Sequence, residues 1–199
     1  AKVLVPLNNG SYFKKNNFKD IKELDWFDTV QINKDLSITL TPSQHWNKRS
    51  ALPFGPGATD KALWGSFLID YKGIKIFFSC DTGYSNIYKM MGEKFGGVDI
   101  FFINAGAYNF DAVSGVKDKS IFHTNPEEAL QAAKDLKAKK IVPMHYGSFI
   151  LGLEGQNSDG QINEPRKRLQ KNVENFGFNK EDLKIFNIGQ ISRLNDILN

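Results

Sequence analysis

Short apolar segments, rich in β-branched and aromatic residues and bounded by turn residues, recur along the chain. Segments of this kind are typical of β-strands. We predict strands at Val3–Leu7, Thr29–Ile32, Ser37–Thr41, Trp64–Asp70, Ile74–Ser79, Val98–Ile103, Lys140–Pro143 and Lys184–Asn187. The early strands form hairpins, one of them turning at Lys72-Gly73, and the later strands alternate with helices. This order predicts a mixed α/β fold with helices packed on sheet faces.

Two helices are well marked. Asn125 is a natural N-cap and is followed by Pro126 and by apolar residues spaced at three and four positions. The second helix is expected over Glu164–Phe176, with Gly177 as its stop. A weaker helix is expected over Ile87–Lys94. Two polar segments with Gly or Pro are predicted as surface loops: Asn47–Lys61 and Gly152–Asn163.

The composition bounds the class of protein. The 199 residues suit one domain, and the single Cys80 excludes internal disulfides and favours a reducing compartment such as the cytoplasm. No apolar run reaches the length of about 18 residues that a membrane span needs. The start of the chain leads straight into a strand, so we expect no signal peptide. The net charge of +4 permits an anionic substrate or a membrane surface. The scattered basic residues argue against nucleic-acid binding.

Three predicted strands are each followed by a residue of a type that binds metals. They deliver His45, Asp81 and His145. Loops at the carboxyl ends of strands converge above the sheet in layered α/β proteins, so these residues could share a site. Two imidazoles and a carboxylate are suitable ligands for zinc and similar ions. The alternative stays open, because a histidine after a strand is often an ordinary loop residue and Asp-Thr-Gly is a common turn.

His123 lies just before the helix that Asn125 caps. It either flanks the cap or faces a pocket, where it could donate a hydrogen bond to an anionic substrate. Arg49 is four residues after His45 and could reach a phosphate, although a solvated loop arginine explains it equally well. Cys80 has no sequence context that marks it as a nucleophile.

Five ordered segments resemble a known family. They are Thr41-Pro42-Ser43-Gln44-His45-Trp46, Ala62-Leu63-Trp64-Gly65-Ser66-Phe67, Cys80-Asp81-Thr82-Gly83-Tyr84, His123-Thr124-Asn125-Pro126-Glu127-Glu128-Ala129 and Met144-His145-Tyr146-Gly147-Ser148-Phe149. Together they resemble the C-terminal part of metallo-β-lactamase-fold hydrolases related to N-acylphosphatidylethanolamine-hydrolysing phospholipase D. The resemblance covers nearly the whole chain and implies an αβ/βα sandwich.

The resemblance also implies a centre of two metals, usually zinc. His45 would bind the first metal, Asp81 would bridge both, and His145 would bind the second. His123 would lie beside them and assist the substrate or the leaving group. A hydroxide between ions about 3.5–4 Å apart would attack the phosphorus of a phosphodiester. Trp46, Arg49 and Tyr108 would shape the substrate pocket.

One family motif is absent. The H-x-H-x-D-H motif supplies four ligands, and none of the three histidines here is two or five residues from another. We therefore expect residues 1–199 to be the C-terminal part of a metallo-β-lactamase-fold domain that lacks the H-x-H-x-D-H half. That half would be a missing N-terminal segment or a partner chain. The chain alone is expected to bind metal weakly and to be inactive.

The resemblance favours a phosphodiesterase of the phospholipase D type that acts on a phospholipid or another small phosphodiester. A lactonase of the same fold is the alternative enzyme. The non-enzymatic alternative is a non-catalytic half-domain that needs a partner chain. The expected location is the cytoplasm, with peripheral contact to a membrane left open.

Overall fold

The structure is a computed structural model that describes residues 1–49, 58–59, 61–108, 121–148 and 158–199. Residues 48–49, 58–59 and 158–161 are described by their backbone alone. The strands are β1 (Lys2–Pro6), β2 (Asp20–Leu24), β3 (Thr29–Asn33), β4 (Leu36–Thr41), β5 (Lys48–Arg49), β6 (Ala58–Thr59), β7 (Ser66–Tyr71), β8 (Ile74–Phe78), β9 (Val98–Asn104) and β10 (Ala138–Met144). The α-helices are α1 (Gly10–Lys14), α2 (Ile87–Phe95), α3 (Pro126–Asp135), α4 (Ser158–Asn172) and α5 (Leu194–Leu198).

A six-stranded sheet in the order β10-β9-β8-β7-β4-β3 organises the molecule. Strands β8, β9 and β10 are parallel to one another, whereas β7 is antiparallel to both β8 and β4. Strand β4 therefore runs in the same direction as β8. The carboxyl ends of β4, β8, β9 and β10 consequently lie along one edge of the sheet, which is where the predicted metal ligands follow.

One face of this sheet is covered by α2, α3 and α4. Its cross-strand row Leu68, Phe77, Phe101 and Ile141 is buried in the main core. The turn between β7 and β8 is the predicted one, because Lys72 and Gly73 both have positive φ, of 55° and 83°. A two-residue hairpin of this kind requires positive φ at both central positions.

Among the described residues, the cover of the opposite face is concentrated at its two ends. At one end, β1 and β2 contribute Leu4 and Leu24 to a small cluster with Val30 and Leu40 of the sheet. At the other end, α5 packs Ile197 against β9 and β10. The middle of this face is less well covered, and Phe78 there is 38% exposed to solvent.

The helix caps follow the expected chemistry. The Asn125 side chain accepts a hydrogen bond from the Glu128 backbone N–H at 2.8 Å, and the Glu128 carboxylate accepts one from the Asn125 N–H at 3.2 Å. This reciprocal pair satisfies two backbone donors at the start of α3. Gly177 has a φ of 91° and ends the turn that follows α4, as predicted.

Several expectations were wrong. Lys184–Asn187 is not a strand, because beyond the bridge between Ile141 and Leu183 it makes no ladder with β10. Helix α4 begins at Ser158, so the last six residues of the predicted second loop are helical, and α4 ends at Asn172 before a 3₁₀ turn. Strand β2 and helices α1 and α5 were not predicted, nor were the two-residue strands β5 and β6 within the predicted first loop.

The remaining loop predictions fall partly outside the described residues. The residues outside the described part are 50–57 and 60 in the first predicted loop and 152–157 in the second. Within the described residues, no helix combines the length and the apolar character needed to cross a bilayer.

Candidate metal centre

All three histidines of the chain converge on one carboxylate at the sheet edge. His45 Nε2 is 3.5 Å from Asp81 Oδ2, and His145 Nε2 is 3.8 Å from the same oxygen. His123 Nε2 is 3.3 Å from Asp81 Oδ1. The expectation from chain order that His45, Asp81 and His145 approach one another thus agrees with the geometry. His123, which follows no strand and which the family resemblance places beside the metals, lies at the same carboxylate.

The backbone turns sharply where the strands deliver these side chains. His145 has a φ of 64°, and Cys80, directly before Asp81, has a φ of 56°. Left-handed backbone is costly for residues that carry a Cβ, and it concentrates at functional sites. Gly106 allows the β9 and β10 segments to meet here, because a Cβ on Gly106 would lie 2.1 Å from the His145 carbonyl oxygen.

The His45 ring is held by its own neighbour. His45 Nδ1 lies 2.9 Å from the Trp46 carbonyl oxygen. A carbonyl oxygen can only accept, so Nδ1 carries the proton in this contact, and Nε2 is the ring nitrogen that faces Asp81. Metal-binding histidines are commonly oriented in this way, with the second ring nitrogen donating to a carbonyl.

The charge on Asp81 is set by its surroundings. Burial acts to raise the pKa of Asp81, but the contact with His123 and the charges of His123, His145 and His45 outweigh it and lower that pKa. The carboxylate is therefore ionised at neutral pH. Burial, with a further contribution from Asp81, raises the pKa of Cys80 to about 11, so its thiol stays protonated.

The donor set fits a divalent metal. Ligand atoms of His45, Asp81 and His123 all lie within 4.8 Å of one another, so these residues could hold one ion. His145 could contribute to a second ion that shares Asp81. Three imidazoles and one carboxylate do not provide the three or four protein ligands that each of two zinc ions takes. Among the described residues, the centre therefore has too few ligands for two metals.

Aromatic rings line the His45 side of the centre. Trp46 stacks on His45 with ring centroids 6.4 Å apart, and Phe122 packs against both rings. This position suits the predicted role of Trp46 in shaping a pocket. Phe122 was not predicted; its place directly before His123 is the only sequence signal.

Tyr108 and Arg49 differ in what the structure shows of them. Tyr108 is buried, donates its hydroxyl to Glu164 Oε2 at 2.7 Å, and has the Arg168 guanidinium over its ring. Its hydroxyl is thus engaged by α4, and its predicted part in the substrate pocket stays a prediction. The Arg49 side chain lies outside the described residues, so its predicted contact with a phosphate stays a prediction as well.

Comparisons with known proteins agree with this architecture. Residues 1–146 match the family described as the beta-lactamase superfamily domain. The chain is 33% identical over 181 residues to the mitochondrial N-acyl-phosphatidylethanolamine-hydrolyzing phospholipase D of Saccharomyces cerevisiae, covering 88% of this chain and 35% of that protein. It is 27% identical over 192 residues to N-acyl-phosphatidylethanolamine-hydrolyzing phospholipase D 1 of Caenorhabditis elegans, covering 92% and 49%. The chain thus spans between about a third and a half of these relatives.

The fold has solved counterparts. Igni18, a metallo hydrolase from Ignicoccus hospitalis, superimposes with a TM-score of 0.62 at 17% identity, over 96% of this chain and 67% of that one. At this identity the match concerns the fold alone, and it confirms the predicted α/β sandwich class. The family match and the phospholipase D relatives go further: the chain belongs to the beta-lactamase superfamily, among the metallo-β-lactamase-fold hydrolases related to N-acylphosphatidylethanolamine-hydrolysing phospholipase D.

Proposed function

We propose that this chain forms part of a metal-dependent phosphodiesterase of the phospholipase D type. The observation that carries the proposal is the convergence of His45, His123 and His145 on Asp81 within 3.8 Å, in a chain related to two such phospholipases. An N- and O-donor set of this kind suits zinc, and we propose two zinc ions for the complete centre.

Each residue has a distinct part in this proposal. His45 and His123 would help to hold one ion, His145 would help to hold the second, and Asp81 would contribute to both. The ions would supply an activated hydroxide and neutralise the charge that develops on the phosphoryl oxygens. Trp46 and Phe122 pack on His45 and would limit the access of water on that side, which would strengthen charge interactions there.

The family resemblance assigns His123 differently, as a residue that assists the substrate or leaving group. In that role, Nε2 of His123 would donate its proton to an oxygen of the phosphodiester, and His45, Asp81 and His145 would be the ligands. The two roles predict different zinc contents when His123 is replaced. Loss of a ligand lowers the zinc content, whereas loss of a residue that only assists the substrate leaves it unchanged.

We propose further that the complete centre requires a second protein segment, either a preceding half or a partner chain with an H-x-H-x-D-H motif. The shortage of ligands for two ions supports this requirement. The relatives support it too, because each extends well beyond the part that matches this chain.

The less well covered middle of the sheet face opposite α2, α3 and α4 supports the same requirement. On this face, Ile38, Ile69, Ile76 and Ile100 form one cross-strand row, and Leu40, Phe67, Phe78, Phe102 and Val142 form the next. The row Leu68, Phe77, Phe101 and Ile141 on the helix-covered face has no member above 9% exposure, whereas Phe78 is 38% exposed. Phe67 and Phe102, on either side of Phe78 in this row, are half-buried, and partly exposed apolar surface of this kind supports an interaction site. A second apolar sheet would cover this row and bring its own loops to the edge that carries Asp81.

A cytoplasmic location stays part of the proposal. The single cysteine favours a reducing compartment, whereas one of the relatives is named as mitochondrial. Contact with a membrane surface would follow from a phospholipid substrate.

The test measures zinc content and hydrolysis together. Zinc per chain is determined for the chain alone and after addition of a segment that carries the H-x-H-x-D-H motif. Activity is then assayed on vesicles that contain N-acylphosphatidylethanolamine and on a small lactone. Two zinc ions per complex with phosphodiester cleavage is the expected result. Lactone cleavage without phosphodiester cleavage would overturn the phosphodiesterase in favour of the lactonase, and a complex that never takes up zinc would overturn the metal assignment.

A further inference from the structure

Asn104 occupies a central position beneath the metal centre. It is the last residue of β9, which lies between β8 and β10 in the sheet, and its side chain is fully buried. A buried amide group without a hydrogen-bond partner has an uncompensated desolvation cost. Among the described residues, Nδ2 of Asn104 has a partner and Oδ1 has none, so the side chain is held through Nδ2.

The partners of Asn104 belong to two ligand-bearing segments. Its side-chain Nδ2 donates to the Thr82 carbonyl oxygen at 2.8 Å, and Thr82 directly follows Asp81. Its backbone carbonyl oxygen accepts a hydrogen bond from the Thr124 hydroxyl, and Thr124 directly follows His123. Thr82 and Thr124 are both fully buried, so water does not compete for these bonds.

The same network reaches the other two histidines. The Gln44 N–H donates to Thr82 Oγ1 at 3.1 Å, and the Gly83 N–H donates to the Gln44 carbonyl oxygen at 2.8 Å. Gln44 directly precedes His45. On the far side of β9, the N–H of Ala105 donates to the Met144 carbonyl oxygen at 2.9 Å, and Met144 directly precedes His145.

The residue next to each of the four candidate ligands is therefore hydrogen-bonded either to the end of β9 or to Thr82. Thr82 is itself hydrogen-bonded to the Asn104 side chain. We infer that Asn104 is a positioning residue of the metal centre, which fixes the Asp81 segment relative to the His123 segment. The expected effect on zinc affinity rests on the proposed metal-binding function. The hydrogen-bond network itself is present in the protein without metal.

The energetic argument concerns Thr82. Without the Asn104 amide, the buried Thr82 carbonyl oxygen loses a donor, and the Asp81 segment shifts to find another. Outer partners of metal ligands of this kind change metal affinity by about 10- to 100-fold when they are removed. A residue that only contributed to packing would lower stability without a selective loss of zinc.

The first experiment compares Asn104→Ala with Asn9→Ala in the full chain. Asn9 is a matched control, since its side chain donates to three backbone carbonyl oxygens, of Pro6, Leu7 and Leu63, none of which adjoins a candidate ligand. Zinc is titrated while the ring signals of the three histidines are followed by NMR. Asn104→Ala should weaken zinc binding by about tenfold or more, whereas Asn9→Ala should change it by less than about twofold. Equal effects of the two substitutions would overturn the inference.

A second pair of variants protects the test against a general loss of folding. Thr124→Val removes the hydroxyl that donates to the Asn104 carbonyl oxygen and keeps the shape of the side chain, whereas Thr124→Ser keeps the hydroxyl. Thr124→Val should weaken zinc binding by about tenfold, and Thr124→Ser should restore it to near the value of the unchanged chain. Equal zinc affinity in both Thr124 variants would contradict the network.

A metal-free measurement separates this inference from the proposed function. If the unchanged chain takes up no zinc, the metal assignment fails, and the network is then tested by hydrogen exchange at the Gly83 amide, which donates to Gln44. Exchange at Gly83 should become about tenfold faster in Asn104→Ala and stay unchanged in Asn9→Ala. Unchanged exchange at Gly83 in Asn104→Ala would overturn the positioning role whatever the zinc result.

Discussion

His123 Nε2 lies 3.3 Å from Asp81 Oδ1, a shorter distance than either His45 or His145 makes to this carboxylate. Together with His45 it forms the compact group of ligand atoms around Asp81. The residue that the family resemblance placed beside the metals is thus also positioned to bind one. The proposed second segment would add further ligands to this group.

The different distances of His123 and His145 from Asp81 predict different effects for two alanine substitutions. His123→Ala should lower the affinity for the tighter zinc ion by at least about tenfold, because a ligand is lost rather than an outer partner. His145→Ala should affect that ion less, since His145 Nε2 is farthest from Asp81. Zinc titration of both variants in parallel is the measurement. A His123→Ala variant that keeps full zinc affinity but loses activity would return His123 to the substrate-assisting role.

Asp81→Asn should remove the centre altogether. The amide has no charge to neutralise a divalent ion and offers one oxygen in place of two, so the residue can no longer bridge. We expect zinc affinity to fall by more than about 100-fold and phosphodiester cleavage by the complete assembly to be lost. Asp135→Asn is the control, because Asp135 accepts a hydrogen bond from Tyr84 away from the centre. Retention of zinc by Asp81→Asn would contradict the assignment of the bridge.

The pKa of Asp182 predicts a pH-dependent stability. Burial acts to raise the pKa of Asp182, but hydrogen bonds from the Asn179 backbone and from Lys140 lower it below its usual range. A carboxyl with a lowered pKa stabilises the fold above its ordinary pKa and loses that contribution as the pH falls through the folded-state value. Asp182→Asn should therefore cost about 1–2 kcal/mol of unfolding free energy at pH 7, and the cost should shrink below about pH 4.

Urea unfolding at pH 7 and at pH 2.5 measures this difference. The neighbouring Glu181→Gln is the control, since Glu181 is exposed and a surface substitution usually changes stability by less than about 0.5 kcal/mol. A cost for Asp182→Asn that is the same at both pH values would show that the lost hydrogen bonds, and not the charge, carry the effect.

The strands and the ligand-bearing strand ends were predictable because each has a local signal. Short runs of β-branched and aromatic residues mark β7 and β8, and His45, Asp81 and His145 lie one to four residues beyond the ends of β4, β8 and β10. Strand β2 was missed because Asp20–Leu24 carries three charged residues, and only its parallel pairing with β1 makes it a strand. Tertiary pairing of this kind overrides local propensity.

The opposite error occurred at Lys184–Asn187. Its apolar residues suit a strand, yet the Lys184 N–H donates to the Ile141 carbonyl oxygen and the chain then leaves β10. Convergence of His123 on Asp81 likewise has no local signal, because the Thr124 bond to Asn104 that places it joins residues 20 positions apart. Sequence reasoning could name the histidine but could not assign it to the ligand group.

The less well covered sheet face predicts a contrast between two phenylalanines. Phe78 and Phe101 lie on neighbouring strands but on opposite faces, with exposures of 38% and 0%. Phe78→Ser should cost about 1–2 kcal/mol of unfolding free energy, because more than a third of the residue is already in contact with water. Phe101→Ser should cost about 3–5 kcal/mol, as expected for the loss of a fully buried ring.

Binding of the proposed second segment should be affected in the reverse order, with the larger direct effect from Phe78→Ser. If a second apolar sheet covers the Phe78 face, Phe78→Ser places a hydroxyl in that interface and weakens binding of the segment that carries the H-x-H-x-D-H motif by about tenfold or more. Sedimentation or light scattering of the mixture measures binding, and urea unfolding of the isolated chain measures stability. Full binding by Phe78→Ser would show that the second segment does not dock on this face, and the missing zinc ligands would then have to approach the sheet edge from another direction.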